Sequence, residues 1–213
     1  NKCLSYATNE WVFLIDADEQ VIPGSIIVLR EYIWFVSQLE DTVSICPVFT
    51  DANYHPTWAL TWIFCKSSGL KYHGRIHEHL VGESGDIRYI SLVNVKLIHD
   101  GYIESVKGGK EKQERNVRLL ERQIQAEPEN PRWHFFLARD GRGVLSVDKS
   151  IASLKKAVHL FAGQETVLKI KSQSLLINFF LESGNLRDAK SAIHDLRLIS
   201  PTCSDIKYYE AFI

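Results

Sequence analysis

The hydrophobic pattern of the chain changes near residue 115, and this change constrains the fold more than any other feature. From Val43 to about Leu97 the apolar runs are short, rich in β-branched and aromatic residues, and separated by Pro and Gly, which is typical of strands and loops. From Asn116 onward apolar residues recur every three or four positions, as one face of a helix requires. The pattern therefore predicts an α/β domain over residues 1–114 and an all-helical domain over residues 115–213.

The α/β part opens with a predicted strand that ends in an acidic loop. Residues 1–10 are typical of the end of a helix, and the continuous apolar run from Trp11 to Ile15 predicts a buried, parallel strand. The run stops at Asp16-Ala17-Asp18-Glu19, after which Pro23-Gly24-Ser25 leads into a predicted helix over 26–39. Strand, acidic loop and helix in this order form an α/β unit.

The helical part divides into pairs. Helices are predicted at about 133–139, 148–161, 166–182 and 186–199, because Gly and Pro interrupt the pattern between them. The last pair keeps the offsets of a tetratricopeptide (TPR) unit of about 34 residues. Residues 104–115, with Lys107, Lys110, Lys112 and Arg115, predict either a solvated linker or a lid that folds over a diphosphate.

Composition excludes several classes of protein. Lys and Arg number 25 against 26 Asp and Glu, so there is no general basic field of the kind that nucleic acids attract. The four cysteines form no CxxC pair, and we expect them to be reduced and mostly buried. No apolar run reaches the roughly 18 residues of a membrane span and no signal peptide opens the chain, which predicts a cytoplasmic protein. The absence of Met indicates an excised or incompletely recorded sequence.

The acidic loop suits a divalent cation. Asp16 and Asp18 follow a predicted strand directly, where ligands of open α/β sheets bind, and hard oxygen ligands favour Mg²⁺ or Mn²⁺. Such an ion bridges the two phosphates of a nucleotide sugar and neutralises the charge of the departing diphosphate. Acidic loops are also common without any metal, so the motif by itself leaves both interpretations open.

The residues around this loop resemble those of bacterial family 2 glycosyltransferases. The matching stretches are Asn1–Ala7, Glu10-Trp11, Leu14–Glu19, Lys71–Glu78, His99–Tyr102, Arg115-Asn116 and Glu127–Trp133. Together they are similar to a subgroup that joins a GT-A domain to TPR-like helices, the glycocin S-glycosyltransferases of the sublancin type. That resemblance implies a GT-A fragment without the preceding uridine-binding half, and we expect negligible turnover from these 213 residues alone.

The resemblance implies a donor and metal site. In GT-A enzymes of this kind the first aspartate faces the ribose of a UDP-sugar and the last holds the metal, which gives these roles to Asp16 and Asp18. A histidine after the final strand completes the metal site, and His99 occupies the matching position. Glu19 receives no definite role.

The resemblance also implies a catalytic base. Inverting transfer needs one group that takes the proton of the acceptor, and Glu78 is the candidate. Arg75, His77 and Arg115 are expected to bind the donor. The alternative is that Glu78 pairs with Arg75 or Lys71 on a loop.

Other interpretations remain open. His73, His77 and His79 lie close enough in sequence for a zinc site, although HExxH is not satisfied. A strand followed by DxD also opens dehalogenase-type phosphatases, but Gln20 stands where these need Thr or Val. Trp58, Trp62 and Phe64 favour core packing over acceptor stacking, and Trp133, Phe135 and Phe136 are assigned to helix packing.

The favoured function is transfer of a hexose from a UDP-sugar to a Cys or Ser side chain of a peptide, with inversion. Its rivals are a TPR scaffold without catalysis and transfer to a glycan or lipid. The helical domain is expected to bind a peptide acceptor or to form a homodimer.

Overall fold

A computed structural model describes residues 1–16, 19–39, 42–51, 56–58, 63–82, 87–99, 109–162 and 167–213, with residues 49–51, 56–58 and 99 described for their backbone alone. The chain forms two compact units, Asn1–Lys107 and Gly108–Ile213. The predicted order of a mixed α/β part followed by helices is confirmed. The predicted boundary after residue 114 lies inside a helix that begins at Gly109. The assignments to the GT-A and TPR classes stay predictions.

The first unit is built on a curled sheet. Its strands are β1 (Trp11–Phe13), β2 (Glu19–Val21), β3 (Val43–Asp51), β4 (Pro56–Trp58), β5 (Ile63–Cys65), β6 (Lys71–His73), β7 (His79–Val81) and β8 (Arg88–His99). Within the described residues, one sheet has the order β1-β5-β3-β8-β2 with β4 beside β3, and β6 and β7 form a separate hairpin. Helix α1 (Ser25–Val36) follows β2.

Strand β1 differs from its prediction. It pairs antiparallel with β5 at the end of the strand order, and all three of its residues are half-buried. The prediction of a buried, parallel strand is therefore wrong, because an apolar run does not reveal which strand lies beside it. Residues 1–10 likewise contain a single 3₁₀ turn at Cys3–Tyr6 in place of the predicted helix end.

The curl follows from the connection between β1 and β2. These strands stand at opposite ends of the order, which in a flat sheet would separate them by about four strand spacings, or ~19 Å. Residues 14–18 could span that distance only when almost fully extended, at ~3.5 Å per residue. The Glu19 N–H instead donates to the Asp16 carbonyl at 3.1 Å, so Asp16 and Glu19 lie close together. The parallel pair β3–β8 also contains a register shift: Pro47 pairs with Leu92, whereas the next residue, Val48, pairs with Lys96. Bulges of this kind bend a strand.

Each face of the sheet packs against a different element. One core joins Leu29 and Val36 of α1 to the strand residues Ile45, Ile63 and Val95. On the other face Phe64 packs with Leu70 and Leu80, and Tyr72 and Leu14 lie against them. Successive residues of a strand point to opposite faces, so Ile63 and Phe64 enter different cores. Phe64 is a packing residue, as predicted, whereas the described residues do not include Trp62 or the side chain of Trp58.

The second unit is helical throughout its described residues. Its helices are α2 (Gly109–Ala126), α3 (Pro131–Asp140), α4 (Val147–Leu160), α5 (Val167–Glu182), α6 (Leu186–Ile199) and α7 (Asp205–Glu210). The predicted helices agree with α3 to α6 within one or two residues. Asn130, Ser146 and Asn185 cap the N-termini of α3, α4 and α6 with their side chains, as the preference for these residues at N-caps predicts. Trp133, Phe135 and Phe136 are buried, which confirms their assignment to packing.

Two smaller predictions are corrected. Residues 109–115 belong to α2 and are not a linker or mobile loop, because their Lys, Glu, Gln and Arg residues are good helix formers although they are polar. The cysteines are free, but Cys46 alone is buried; Cys3 is exposed and the other two are half-buried. In the part of the chain that the structure describes, no helix is both long and apolar enough to cross a membrane.

Candidate functional site

Two hydrogen bonds fix the ends of the acidic loop. The Asp16 N–H donates to Glu19 Oε2 at 2.8 Å, and the Glu19 N–H donates to the Asp16 carbonyl at 3.1 Å. Glu19 is 9% exposed, whereas Asp16 is exposed. Asp18 lies outside the described residues. Glu19, which the sequence left without a role, therefore holds the loop together with its buried carboxylate.

The sheet brings the acidic loop next to the predicted metal-binding histidine. Glu19 of β2 and His99 of β8 are direct partners in the antiparallel register, where Cα atoms lie ~4.5–5.5 Å apart. Asp51, the last residue of β3, is the parallel partner of His99 on its other side. Acidic positions thus flank the His99 backbone on both sides, and Asp51 carried no signal in the sequence that could have identified it.

By residue type, the predicted ligands Asp18 and His99 combine a carboxylate with an imidazole, which are ligands that a hard or borderline divalent cation accepts. Because the Asp18 residue and the His99 side chain fall outside the described part, their role as metal ligands stays a prediction. Among the described residues no group of three or more His, Cys, Asp or Glu is suited to holding a metal. His73, His77 and His79 are all described, so the structure does not assemble the alternative zinc site; the rings of His73 and His79 meet edge to face with centroids 5.7 Å apart.

The turn between β6 and β7 carries the predicted catalytic residue. His77 has a φ of 50°, a left-handed conformation that costs a residue with a side chain about 1–2 kcal/mol. Backbone strain of this kind concentrates at functional sites. Glu78 follows directly and is exposed, as is Arg75.

Among the residues that the structure describes, none forms an ion pair with the Glu78 carboxylate. Arg75, Lys71 and Glu78 are all described residues, and neither base forms a salt bridge with Glu78. The alternative of a paired loop glutamate is therefore not observed. A carboxylate in this state is available to accept a proton.

The Tyr72 phenol is influenced by the charges of both Asp16 and Glu78. Burial raises the pKa of the Tyr72 phenol, and the negative charges of Asp16 and Glu78 raise it further. The charges of both predicted site carboxylates therefore act on this phenol, which stays protonated and neutral at physiological pH. Tyr72 belongs to one of the stretches that match the family, but no role was assigned to it from the sequence. Its distance from Asp16 along the chain hides the relation between the two residues.

The Tyr72 side chain is firmly positioned. Its ring packs edge to face on Phe64 with centroids 6.0 Å apart. Asn1 binds its backbone on both sides, since Asn1 Nδ2 donates to the Tyr72 carbonyl at 2.8 Å and the Tyr72 N–H donates to Asn1 Oδ1 at 2.9 Å. These contacts fix the position of the Tyr72 ring and backbone.

Arg115 belongs to the second unit. It lies in α2, where its Nη2 donates to Asn116 Oδ1 at 3.2 Å, and Asn116 Nδ2 in turn donates to Asp140 Oδ2 at 3.1 Å. Lys110 and Lys112 lie in the same helix, and Lys107 lies outside the described residues. Donor binding by Arg115 stays a prediction.

Comparison with known proteins supports the resemblance. The chain is 29% identical over 217 aligned positions to the SPbeta prophage-derived glycosyltransferase SunS of Bacillus subtilis (strain 168), and equally to glycosyltransferase SunS of Bacillus phage SPbeta. The alignment covers 100% of this chain and 51% of each relative, so the chain spans about half the length of these relatives. No family model matches it. The expected similarity to a glycosyltransferase of the sublancin type is confirmed along the whole chain.

Proposed function

We propose that this chain is the catalytic part of a metal-dependent, inverting glycosyltransferase of the GT-A type with TPR-like helices behind it. The observation that carries the proposal is the similarity along the whole chain to glycosyltransferase SunS. The register that sets Glu19 opposite His99 supports it, because it joins the acidic loop and the histidine at one edge of the sheet.

The donor site in this proposal uses the acidic loop. Asp16 contacts the ribose of a UDP-hexose, while Asp18 and His99 hold Mg²⁺ or Mn²⁺. When bound, the ion supplies positive charge to the departing diphosphate. The two hydrogen bonds between Asp16 and Glu19 keep the loop in place, so that less ordering accompanies donor binding.

The proposed transfer is one in-line displacement. The Glu78 carboxylate takes the proton of the acceptor thiol or hydroxyl while the sulfur or oxygen forms a bond to the anomeric carbon. The bond from that carbon to the diphosphate oxygen breaks in the same step, and its electrons leave with the UDP. The Tyr72 phenol, whose pKa is raised by burial and by the charges of Asp16 and Glu78, stays neutral and adds no charge to the site.

The proposed acceptor is a Cys or Ser side chain of a peptide. The name of the relative identifies a glycosyltransferase and no acceptor, so this part rests on the resemblance alone. A glycan or lipid acceptor and a scaffold without catalysis are the rivals.

Hydrolysis of UDP-sugars tests the proposal. UDP release by the protein that contains this chain is measured with Mn²⁺ and with EDTA, for the wild type and for Asp18→Ala. We expect release that requires the metal and is lost in the variant. Release that is indifferent to EDTA, or absent for every common UDP-hexose, would favour the scaffold.

A further inference from the structure

A groove of about 400 Å³ lies between three helices of the second unit. Helix α4 contributes Lys155 and His159 to one wall, and α6 contributes Asp188 and Asp195 to the other. The two aspartates are two helical turns apart, so they share one face of α6. The groove therefore has a basic wall and an acidic wall.

The floor of this groove contains an amide oxygen without a partner. Gln173 of α5 is 1% exposed, and its Nε2 donates to the Ala192 carbonyl at 2.8 Å. Its Oε1 accepts no hydrogen bond from any part of the chain that the structure describes. Buried acceptors in native proteins are normally satisfied, and leaving one unpaired is costly. An N–H group from a ligand would satisfy it.

The acidic wall is available to the same ligand. Asp195 is exposed and forms no ion pair within the described residues, and Asp188 accepts one bond, from Asn185 Nδ2 at 3.0 Å. Across the groove, Lys155 Nζ lies over the Phe180 ring, 5.5 Å from its centroid, so its ammonium is engaged by the aromatic face. The Gln173 oxygen on the floor and the two carboxylates on the α6 wall are acceptors.

We propose that this groove binds a peptide segment through an arginine side chain. A guanidinium presents five N–H donors in one plane, which suits the two carboxylates and the Gln173 oxygen, and its aliphatic stem suits the apolar floor. Main-chain carbonyls of the peptide accept hydrogen bonds from the Lys155 and His159 wall. Only the identification of this peptide as the glycosyl acceptor rests on the proposed function; the binding itself does not.

Binding of defined peptides to the 213-residue chain tests the proposal. Fluorescein-labelled nonapeptides on one Ser-Gly-Ala background carry Arg, citrulline or Glu at the centre, and binding is followed by fluorescence anisotropy. Citrulline has the shape of arginine without its charge. We expect the Arg peptide to bind about tenfold more tightly than the citrulline peptide, because charge-assisted hydrogen bonds typically contribute at least that factor.

Asp195→Asn should reduce the ratio of the affinities for the Arg and citrulline peptides to near one. Asp148→Asn is the control and should preserve this ratio, because Asp148 is an exposed residue of α4 that does not line the groove. Equal binding of the Arg and citrulline peptides to the wild type, tighter binding of the Glu peptide, or no binding at about millimolar concentration would overturn the proposal. The assay contains no metal and no sugar nucleotide, so its failure is distinguishable from a failure of UDP release.

Gln173→Leu tests the floor of the groove. Because the leucine removes an unsatisfied buried oxygen, we expect a melting temperature at least equal to that of the wild type together with weaker binding of the Arg peptide. Unchanged binding of the Arg peptide would show that the Gln173 oxygen is not an acceptor for the ligand.

Discussion

At the scale of single residues, Asp16, Tyr72 and Glu78 carry the proposed chemistry. Glu78 is an exposed carboxylate with no ion pair to any described residue, and it follows His77, whose backbone is left-handed. Tyr72 lies near both Glu78 and Asp16. The three groups derive from two segments that are far apart in the chain, and the charges of two of them act on the phenol of the third.

Glu78→Gln should abolish transfer while leaving the fold intact. The amide keeps the size of the side chain but has no proton affinity, and a general base typically contributes about 10²- to 10⁴-fold in rate. Formation of glycosylated peptide is the measurement. Glu31→Gln, an exposed residue of α1, is the matched control and should keep wild-type activity. Full transfer activity in Glu78→Gln would remove Glu78 from the mechanism.

Tyr72 should make the folded state sensitive to alkaline pH. Its folded-state pKa is raised, so its contribution to stability is complete below the unfolded pKa of about 10 and is lost as the pH rises above that value. Urea unfolding at about pH 8 and about pH 11 measures the loss. Tyr72→Phe should lose less stability between these pH values than the wild type, and Tyr6→Phe, whose ring is 72% exposed, should behave as the wild type. Equal losses in all three proteins would contradict this assignment.

At the scale of elements, a carboxylate organises the junction between α2 and α3. Glu127 Oε2 accepts from the Trp133 indole N–H and from Asn130 Nδ2, both at 2.9 Å, and Oε1 accepts from Gln123 Nε2 at 2.6 Å. Pro131 begins α3 and Asn130 caps it. The Glu127–Trp133 stretch that contributed to the resemblance thus acts as the end of one helix and the start of the next.

Removing this carboxylate should destabilise the second unit. Glu127→Ala leaves three donors without their acceptor, and Trp133 among them is fully buried. An unsatisfied buried donor costs about 1–3 kcal/mol, which thermal unfolding detects. Glu129→Ala is the control, because Glu129 is 70% exposed and pairs with Lys156 at the surface, where ion pairs contribute little. A control variant that lowers the melting temperature as much as Glu127→Ala would contradict the proposed role of Glu127.

At the scale of the whole molecule, each of the two units has its own hydrophobic core. The second unit buries Trp133, Leu154, Ile177 and Leu196 completely, and the first buries Ile45, Ile63 and Leu97. Units with separate cores are typically able to fold separately. The groove and the candidate catalytic residues belong to different units, so their functions are separable by experiment.

Residues 108–213 expressed alone should therefore fold. We expect a helical circular dichroism spectrum and one cooperative thermal transition. A second fragment that begins at residue 128 lacks α2 and Glu127, so its transition should occur at lower temperature or disappear. If the longer fragment shows no cooperative transition, the second unit depends on the first for its stability.

The sequence by itself determined the features that depend on neighbouring residues. The change of hydrophobic period, the order of strand, acidic loop and helix, and the positions of α3 to α6 all follow from patterns within about a dozen residues, because helices satisfy their hydrogen bonds locally. The matching stretches likewise identified the class of enzyme that the chain resembles. These predictions needed no knowledge of which segments meet.

The tertiary structure decided what depends on pairing between distant segments. The antiparallel partner of β1, the position of Glu19 opposite His99, and the placement of Tyr72 near Asp16 and Glu78 were not predictable. A strand completes its hydrogen bonds with another strand, and the partner and register are selected by packing over the whole sheet. For this reason the roles of Glu19, which binds Asp16, and of Tyr72, whose phenol is influenced by both site carboxylates, became visible only in the folded chain.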